Sequence, residues 1–371
     1  MKFETLAVHA GAEPDATGAM APPLYLATTF EHAPDGNRAD GLNYQRADNP
    51  TQRRLEAALA ALDGGAAALF FSSGVAAGAC LLQSLPQAGH VLVQEDLYHG
   101  FRDQIETFFP RWGLRHDFVD MTDTGAVRAA LRDDTRLLWA ESPSNPLMQV
   151  IDIAALAELA HAGGARLLVD NTFATPALQQ PLALGADIVL HSATKYMGGH
   201  SDVMGGVLVF AAADEWATAS RTTRTMLGFN ASPFNAWMIL RGLRSLPARM
   251  DWHCRNARAL AEFLAGHARV EAVHYPGLAS HPQHALAQRQ MRDFGGMLSV
   301  RVRGGREAAL AVASRLKVFT NATSLGGCES LVEHRASIEG PHPHSPQDLL
   351  RLSVGVEHAD DLIADWAQAL A

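Results

Sequence analysis

Lys195 stands in the run His191-Ser192-Ala193-Thr194-Lys195-Tyr196-Met197-Gly198-Gly199-His200-Ser201, and Asp170 opens the block Asp170-Asn171-Thr172-Phe173. These residue types suit one chemistry. A lysine held partly neutral forms an imine with an aldehyde, two hydroxyls bind a phosphate, and a buried carboxylate retains a pyridinium proton. Pyridoxal 5'-phosphate (PLP) requires all three. An isolated Asp or Lys is most often a turn cap or a solvated side chain, so the assignment rests on the combination.

The elements that must position these groups are two short aliphatic runs. Arg166-Leu167-Leu168-Val169, bounded by Gly164 and by Asp170-Asn171, reads as a buried parallel strand ending in a carboxylate. Ala186-Asp187-Ile188-Val189-Leu190-His191 ends directly before Ser192, Thr194 and Lys195. Ligands of open α/β sheets collect at the carboxyl ends of strands, so both tips are expected to line one pocket. A strand over 66–71, the turn Ser72-Ser73-Gly74-Val75 and a small-residue helix make an anion cradle, because the first N–H groups of a helix lack partners. The pattern predicts a helix from Thr51 ended by Gly64-Gly65, further strands at Val91-Leu92-Val93 and Arg136-Leu137-Leu138-Trp139-Ala140, and a helix from Ile153 to about His161. Repeated βαβ units of this kind predict a parallel sheet with helices on both faces.

Together these blocks resemble the Cys/Met-metabolism (trans-sulfuration) family of fold-type I PLP enzymes, which contains cystathionine γ-synthase, the cystathionine lyases and methionine γ-lyase. The likeness runs from Val8-His9-Ala10-Gly11 to Asp361-Leu362-Ile363-Ala364-Asp365. It implies an α/β fold with a large, mostly parallel sheet and a smaller C-terminal α+β part. The expected division is an extended arm over residues 1–50, a PLP-binding α/β domain over 51–230, and a C-terminal α+β domain over 231–371 entered by one long helical stretch from Pro233 to Leu264.

The resemblance also implies site roles. Lys195 carries the cofactor and moves protons, Asp170 faces the pyridine nitrogen, and Tyr98 stacks on the ring. Gly74, Val75, Thr172, Ser192 and Thr194 complete the cofactor site. Asn145 and Arg351 take the substrate α-carboxylate, for which the guanidinium fork is the suitable shape, and Ser324 lies beside them. Tyr44 and Arg46, two apart in an extended segment, match a block whose Tyr and Arg bind the cofactor phosphate of a neighbouring subunit. A homo-oligomer follows, a dimer at least and usually a tetramer.

Composition sets bounds. The 371 residues carry a net charge of -9 with 48% hydrophobic and 19% charged residues, which argues against nucleic acid or an anionic membrane as partner. No apolar run reaches membrane length. Three separated cysteines suggest neither a disulfide framework nor a metal site, and a cytoplasmic location is expected. His342 and His344 alternate with prolines and read as a solvated loop rather than metal ligands.

Three departures from the family pattern bear on the small-molecule amino-acid substrate. Thr323 stands where γ-synthases and γ-lyases usually carry Glu, Asp103 where many carry Arg, and Ala47 where some synthases carry a second Arg. An acid at 103 would favour a cationic distal group. The leading expectation is therefore a PLP-dependent lyase acting at Cβ or Cγ of cystathionine, or of an amino acid with a basic end such as canavanine. Cystathionine γ-synthase is the alternative, and a catalytically silent PLP-binding regulator the second.

Overall fold

A computed structural model of the chain describes residues 1–85, 89–341 and 343–371. His342 lies outside the described residues. The first sheet has seven strands: β1 Ala67–Phe71, β2 His90–Gln94, β3 Arg115–Val119, β4 Thr135–Glu141, β5 Arg166–Asp170, β6 Ile188–His191 and β7 Gly206–Phe210, in the order β1-β7-β6-β5-β4-β2-β3. Neighbours from β6 through β5, β4 and β2 to β3 pair in parallel, whereas β7 runs antiparallel to both β6 and β1. Two reversals leave β1 pointing the same way as β6. The carboxyl ends of β1, β2, β4, β5 and β6 therefore share one edge, and that edge carries the chemistry.

Burial on both faces explains the aliphatic strands. Residues of β2, β4 and β5 divide between two apolar cores, one around Phe101 and Trp139 and one around Leu156 and Leu167. The helix Pro50–Asp63 is capped by Asn49, whose side chain accepts from Thr51 N–H, and stops at Gly64 with φ 72°, a conformation that favours glycine. Its Leu55 and Leu59 share a third core with Ile239, Leu240, Leu243 and Met250.

The second sheet is β8 Val270–His274, β9 Met297–Val302, β10 Thr320–Asn321, β11 Leu331–His334 and β12 Leu349–Ser353, ordered β10-β11-β12-β9-β8. Trp366 of the closing helix Ala359–Leu370 packs with Leu298, Val300 and Leu352 under it.

Three local expectations change. The long helical stretch is two helices, Pro233–Leu243 and Leu246–Ala265. Pro247 offers no N–H to the carbonyl four residues back, so a continuous helix across it would lose a bond and clash. The arm contains a helix, Phe3–His9, which buries Phe3 and Ala7 in the core that holds Leu55 and Leu59. Tyr44 and Arg46 lie in a turn closed by Ala47 N–H to Tyr44 O (2.9 Å), not in an extended segment, and the guanidinium sits 5.7 Å from the phenol ring. Among the described residues no helix is long and apolar enough to cross a membrane.

Candidate active site

A cleft opens where the carboxyl edge of the first sheet meets β12 of the second. Asp170 ends β5 and is buried; Thr172 donates to its Oδ1 from both N–H (3.0 Å) and hydroxyl (2.5 Å), which leaves Oδ2 free of these bonds. One strand over, in register, Glu141 ends β4 and accepts Tyr98 N–H at 2.9 Å. Burial raises the pKa of both carboxyls, and the Asp170 charge raises Glu141 further, whereas the Thr172 bonds oppose the rise at Asp170. Of the two, Glu141 is raised further.

Beyond β6 the chain turns sharply. Thr172 Oγ1 accepts Ser192 N–H at 2.8 Å, and Thr194 Oγ1 exchanges two bonds with the Gly205 backbone. Lys195 then projects into the cleft and donates to Ser324 Oγ at 2.8 Å. Burial, aided by the nearby Arg351 and Arg335 charges, lowers the Lys195 pKa to about 8. Ser324 itself holds φ 97°, a backbone state costing roughly 1–3 kcal/mol for a non-glycine residue. Its two bonds, from Lys195 to Oγ and from Arg351 Nη2 to the carbonyl (3.1 Å), hold it there.

The opposite wall comes from the second sheet. Arg351 of β12 and Glu333 of β11 are direct cross-strand partners, and their side chains pair at 2.7 Å. Arg351 Nη1 donates to Asn145 Oδ1 at 3.2 Å. The same Glu333 takes Arg335 Nη1 (2.7 Å) and the Thr323 hydroxyl (2.6 Å). Burial alone would raise the Glu333 pKa, but Arg351, Thr323 and Arg335 together bring it below the usual range.

The structure brings together Lys195, Asp170, Tyr98, Gly74, Val75, Thr172, Ser192, Thr194, Asn145, Thr323, Ser324 and Arg351 around this one cleft. Asp103 is not among them. It is exposed and lines an adjoining cleft with Asp96, Glu106 and Glu339; His99, the first residue of the helix His99–Asp103, lies between the two and lines both. Tyr44, 46% exposed, and Arg46, which donates to Thr225 O (2.7 Å), also lie off the cleft of their own chain. Glu141, His99 and Arg335 line the cleft without having been singled out in the sequence. The signal for Glu141 was available, a carboxylate ending the strand beside that of Asp170.

These residues fit PLP. The helix Gly74–Ser84 starts at the cleft with Ser73 as cap, so Gly74 and Val75 have N–H groups with no partner inside the helix. A Cβ on Gly74 would come within 3.0 Å of Ser192 Cβ and fill the cradle between them. The free Asp170 Oδ2 suits a pyridinium N–H, and Lys195 carries an amine that is partly neutral at neutral pH.

Comparison with known proteins agrees with this chemistry. Residues 4–371 match the family model described as Cys/Met metabolism PLP-dependent enzyme. The chain is 49% identical to cystathionine gamma-synthase of Mycobacterium tuberculosis, over 99% of this chain and 96% of that protein. It is 43% identical to cystathionine beta-lyase of Coxiella burnetii, over 99% and 97%. The crystal structure of metB from Corynebacterium glutamicum superposes with a TM-score of 0.97 at 44% identity, covering 100% of this chain and 98% of that one.

Proposed function

The chain belongs to the Cys/Met-metabolism family of PLP-dependent enzymes, and on that premise we propose that it replaces the Cγ substituent of an O-acylated homoserine with the thiol of cysteine, forming cystathionine. In the net reaction the Cγ–O bond breaks, a Cγ–S bond forms, and the thiol proton leaves with the released acid. The observation that carries this reading is the charge of the cleft wall. Asp103, the acid that would have received a cationic distal group, lies in the neighbouring cleft, and Glu333 is neutralised by two guanidiniums. A cationic amino acid such as canavanine thus meets no unpaired carboxylate at Glu333, whereas an ester is tolerated. The high identity to a cystathionine gamma-synthase points the same way.

PLP, when bound, supplies an electron sink for the negative charge left as protons leave the substrate carbons. Asp170 would hold a proton on the ring nitrogen, and Tyr98, which lines the same cleft, would hold the ring. Lys195 would hold the cofactor aldehyde, and its Nζ, held in position by Ser324 Oγ, would move protons between Cα and Cβ of the substrate. Arg351 and Asn145 hold the α-carboxylate, which keeps Cα and Cγ on the lysine side. Tyr44 and Arg46, turned away from their own cleft, are suited to reach the cofactor phosphate of a second copy in a homo-oligomer.

Steady-state assays test the reading. Holoenzyme is given O-acylhomoserine with cysteine, cystathionine alone, or canavanine, and cystathionine, keto acid and thiol are followed. Synthesis of cystathionine is expected to be the fastest reaction. Faster breakdown of cystathionine or of canavanine would sink it.

A further inference from the structure

Asp96 stands in the turn between β2 and Tyr98, and its side chain reaches across to the loop that follows β4. Its Oδ2 accepts the Ser144 hydroxyl and, at 3.2 Å, the Leu147 N–H. Asn145 lies between those two partners, so the chain on either side of it is tied to one carboxylate oxygen. Ser144 is fixed further, because its Oγ accepts Gln149 N–H at 2.9 Å and its own N–H donates to Gln149 O at 3.0 Å. A second strap runs the other way. Glu141 at the end of β4 accepts Tyr98 N–H at 2.9 Å, and Gln94 Oε1 at the end of β2 accepts Glu141 N–H at 2.8 Å. Burial pushes the Asp96 pKa up to about 6 against its two bonds, so at neutral pH it still accepts as a carboxylate, the stronger kind of acceptor. Asp96 itself lines the adjoining cleft and not the one that holds Lys195.

We propose that Asp96 is a positioning residue for the substrate, which sets Asn145, through Ser144 and Leu147, at the place where it and Arg351 take the α-carboxylate. The inference rests on that reading of Asn145 and Arg351 and names what fixes one of them. Residues 142–152 form no helix or strand, so side-chain bonds must hold Asn145 in place. From the second sheet the Ser299 hydroxyl donates to Pro146 O at 2.7 Å and steadies the same loop on its other side. Asn145 Oδ1 accepts from Arg351 Nη1 at 3.2 Å, which leaves Nδ2 to donate to a carboxylate. A small displacement of the loop would spoil both contacts. Because Glu141 and Gln94 tie the two loops independently, loss of Asp96 alone should leave the fold intact.

The test compares holoenzyme with its Asp96→Ala, Asp96→Asn and Asn145→Ala variants. Each is titrated calorimetrically with norleucine and with pentylamine, which differ in the α-carboxylate and carry no leaving group, and each is assayed on O-acetylhomoserine with cysteine. Wild type should bind norleucine at least about tenfold more tightly than pentylamine. Asp96→Ala should weaken norleucine roughly thirtyfold, the order expected for a misplaced charge-assisted hydrogen bond, and pentylamine less than about threefold. On the ester the loss should fall on KM rather than kcat, since the α-carboxylate is held alike in ground and transition states. Asp96→Asn should recover most of it, because both bonds end on one oxygen and an amide offers one. Ser144→Ala, which removes only one of the two bonds, serves if the Ala variant does not fold, and should show a smaller loss confined to norleucine. Equal weakening of both ligands, a loss in kcat instead of KM, or an Asn variant no better than Ala would mean a general loosening and overturn the proposal. Discrimination that survives Asp96→Ala but not Asn145→Ala sinks this proposal alone. If Asn145→Ala also leaves it intact, the reading of the α-carboxylate site falls as well, and the proposal with it.

Discussion

The two walls of the cleft are built on different principles. On the cofactor wall, Asp170, Ser192, Thr194 and Lys195 stand at or just beyond the tips of parallel strands, and each is held by neutral backbone or hydroxyl groups. On the substrate wall, Glu333, Arg335 and Arg351 hold one another as ions, and Glu333 meets Arg351 because β11 and β12 pair in that register. The first wall leaves Asp170 Oδ2 open to a ligand and ties Lys195 Nζ only to a neutral hydroxyl. The second is already satisfied in part, so a substrate carboxylate must compete with Glu333 for Arg351. Chemistry is thereby separated from discrimination, and damage to each wall should read out differently.

The sharpest break is Lys195→Ala. Loss of the proton-moving amine should cut turnover about a thousandfold or more and remove the visible absorbance of bound cofactor, while far-ultraviolet circular dichroism stays unchanged. A variant that keeps a tenth of the activity would end the assignment of the cofactor wall.

Glu333→Gln addresses the other wall. Removing one member of a buried ionic cluster leaves Arg335 and Arg351 facing each other, and destabilisation of roughly 3–5 kcal/mol is expected from urea unfolding. The pH dependence gives an independent check. The folded-state pKa of Glu333 lies below the ordinary value of 4.5, so its contribution is complete above that pH and is lost as pH falls through the lower folded value. The stability gap between wild type and variant should therefore narrow below about pH 4.5. A gap that is constant with pH would mean the carboxylate charge is not what holds this wall.

That contrast also explains what the sequence could show. The cofactor wall is legible because its residues are contiguous: Ser192, Thr194 and Lys195 follow one aliphatic run and Asp170 ends another, and the helix start at Gly74 is marked by its cap. The substrate wall depends on strand pairing. Leu331-Val332-Glu333-His334 is too short and too polar to be read as a strand by periodicity, and it is buried because β10 and β12 flank it and the helix Gly305–Arg315 packs on it. Arg335 follows as an ordinary charged residue, with nothing local to say that it is buried. Asp103 errs the other way. Its position in sequence, five residues after Tyr98, suggested a shared pocket, but the helical turn that starts at His99 points it elsewhere.

A smaller effect probes the cofactor wall again. Burial lowers the Lys195 pKa to about 8, so below that pH the reactive neutral amine grows about tenfold per unit and above it levels off. Apoenzyme mixed with PLP should take up the aldehyde with a rate that follows this curve, monitored by the growth of visible absorbance. A rate that is flat from about pH 6 to 8 would show that the amine is not titrating there, and the desolvation assigned to this pocket would be wrong.

The smallest expected effect is the most discriminating between the clefts. Asp103→Asn removes an exposed carboxylate that lies with Asp96, Glu106 and Glu339 and outside the reactive cavity. Water screens such a charge, and the route from it to the cavity passes through His99, which Arg335 already holds in its neutral form. Turnover of a charged ester, a neutral ester and cystathionine should each change by less than about threefold, and by the same factor. A selective loss on a substrate with a cationic end would show that Asp103 reaches the substrate when the cavity is occupied, and the separation of the two clefts argued from geometry would not survive binding.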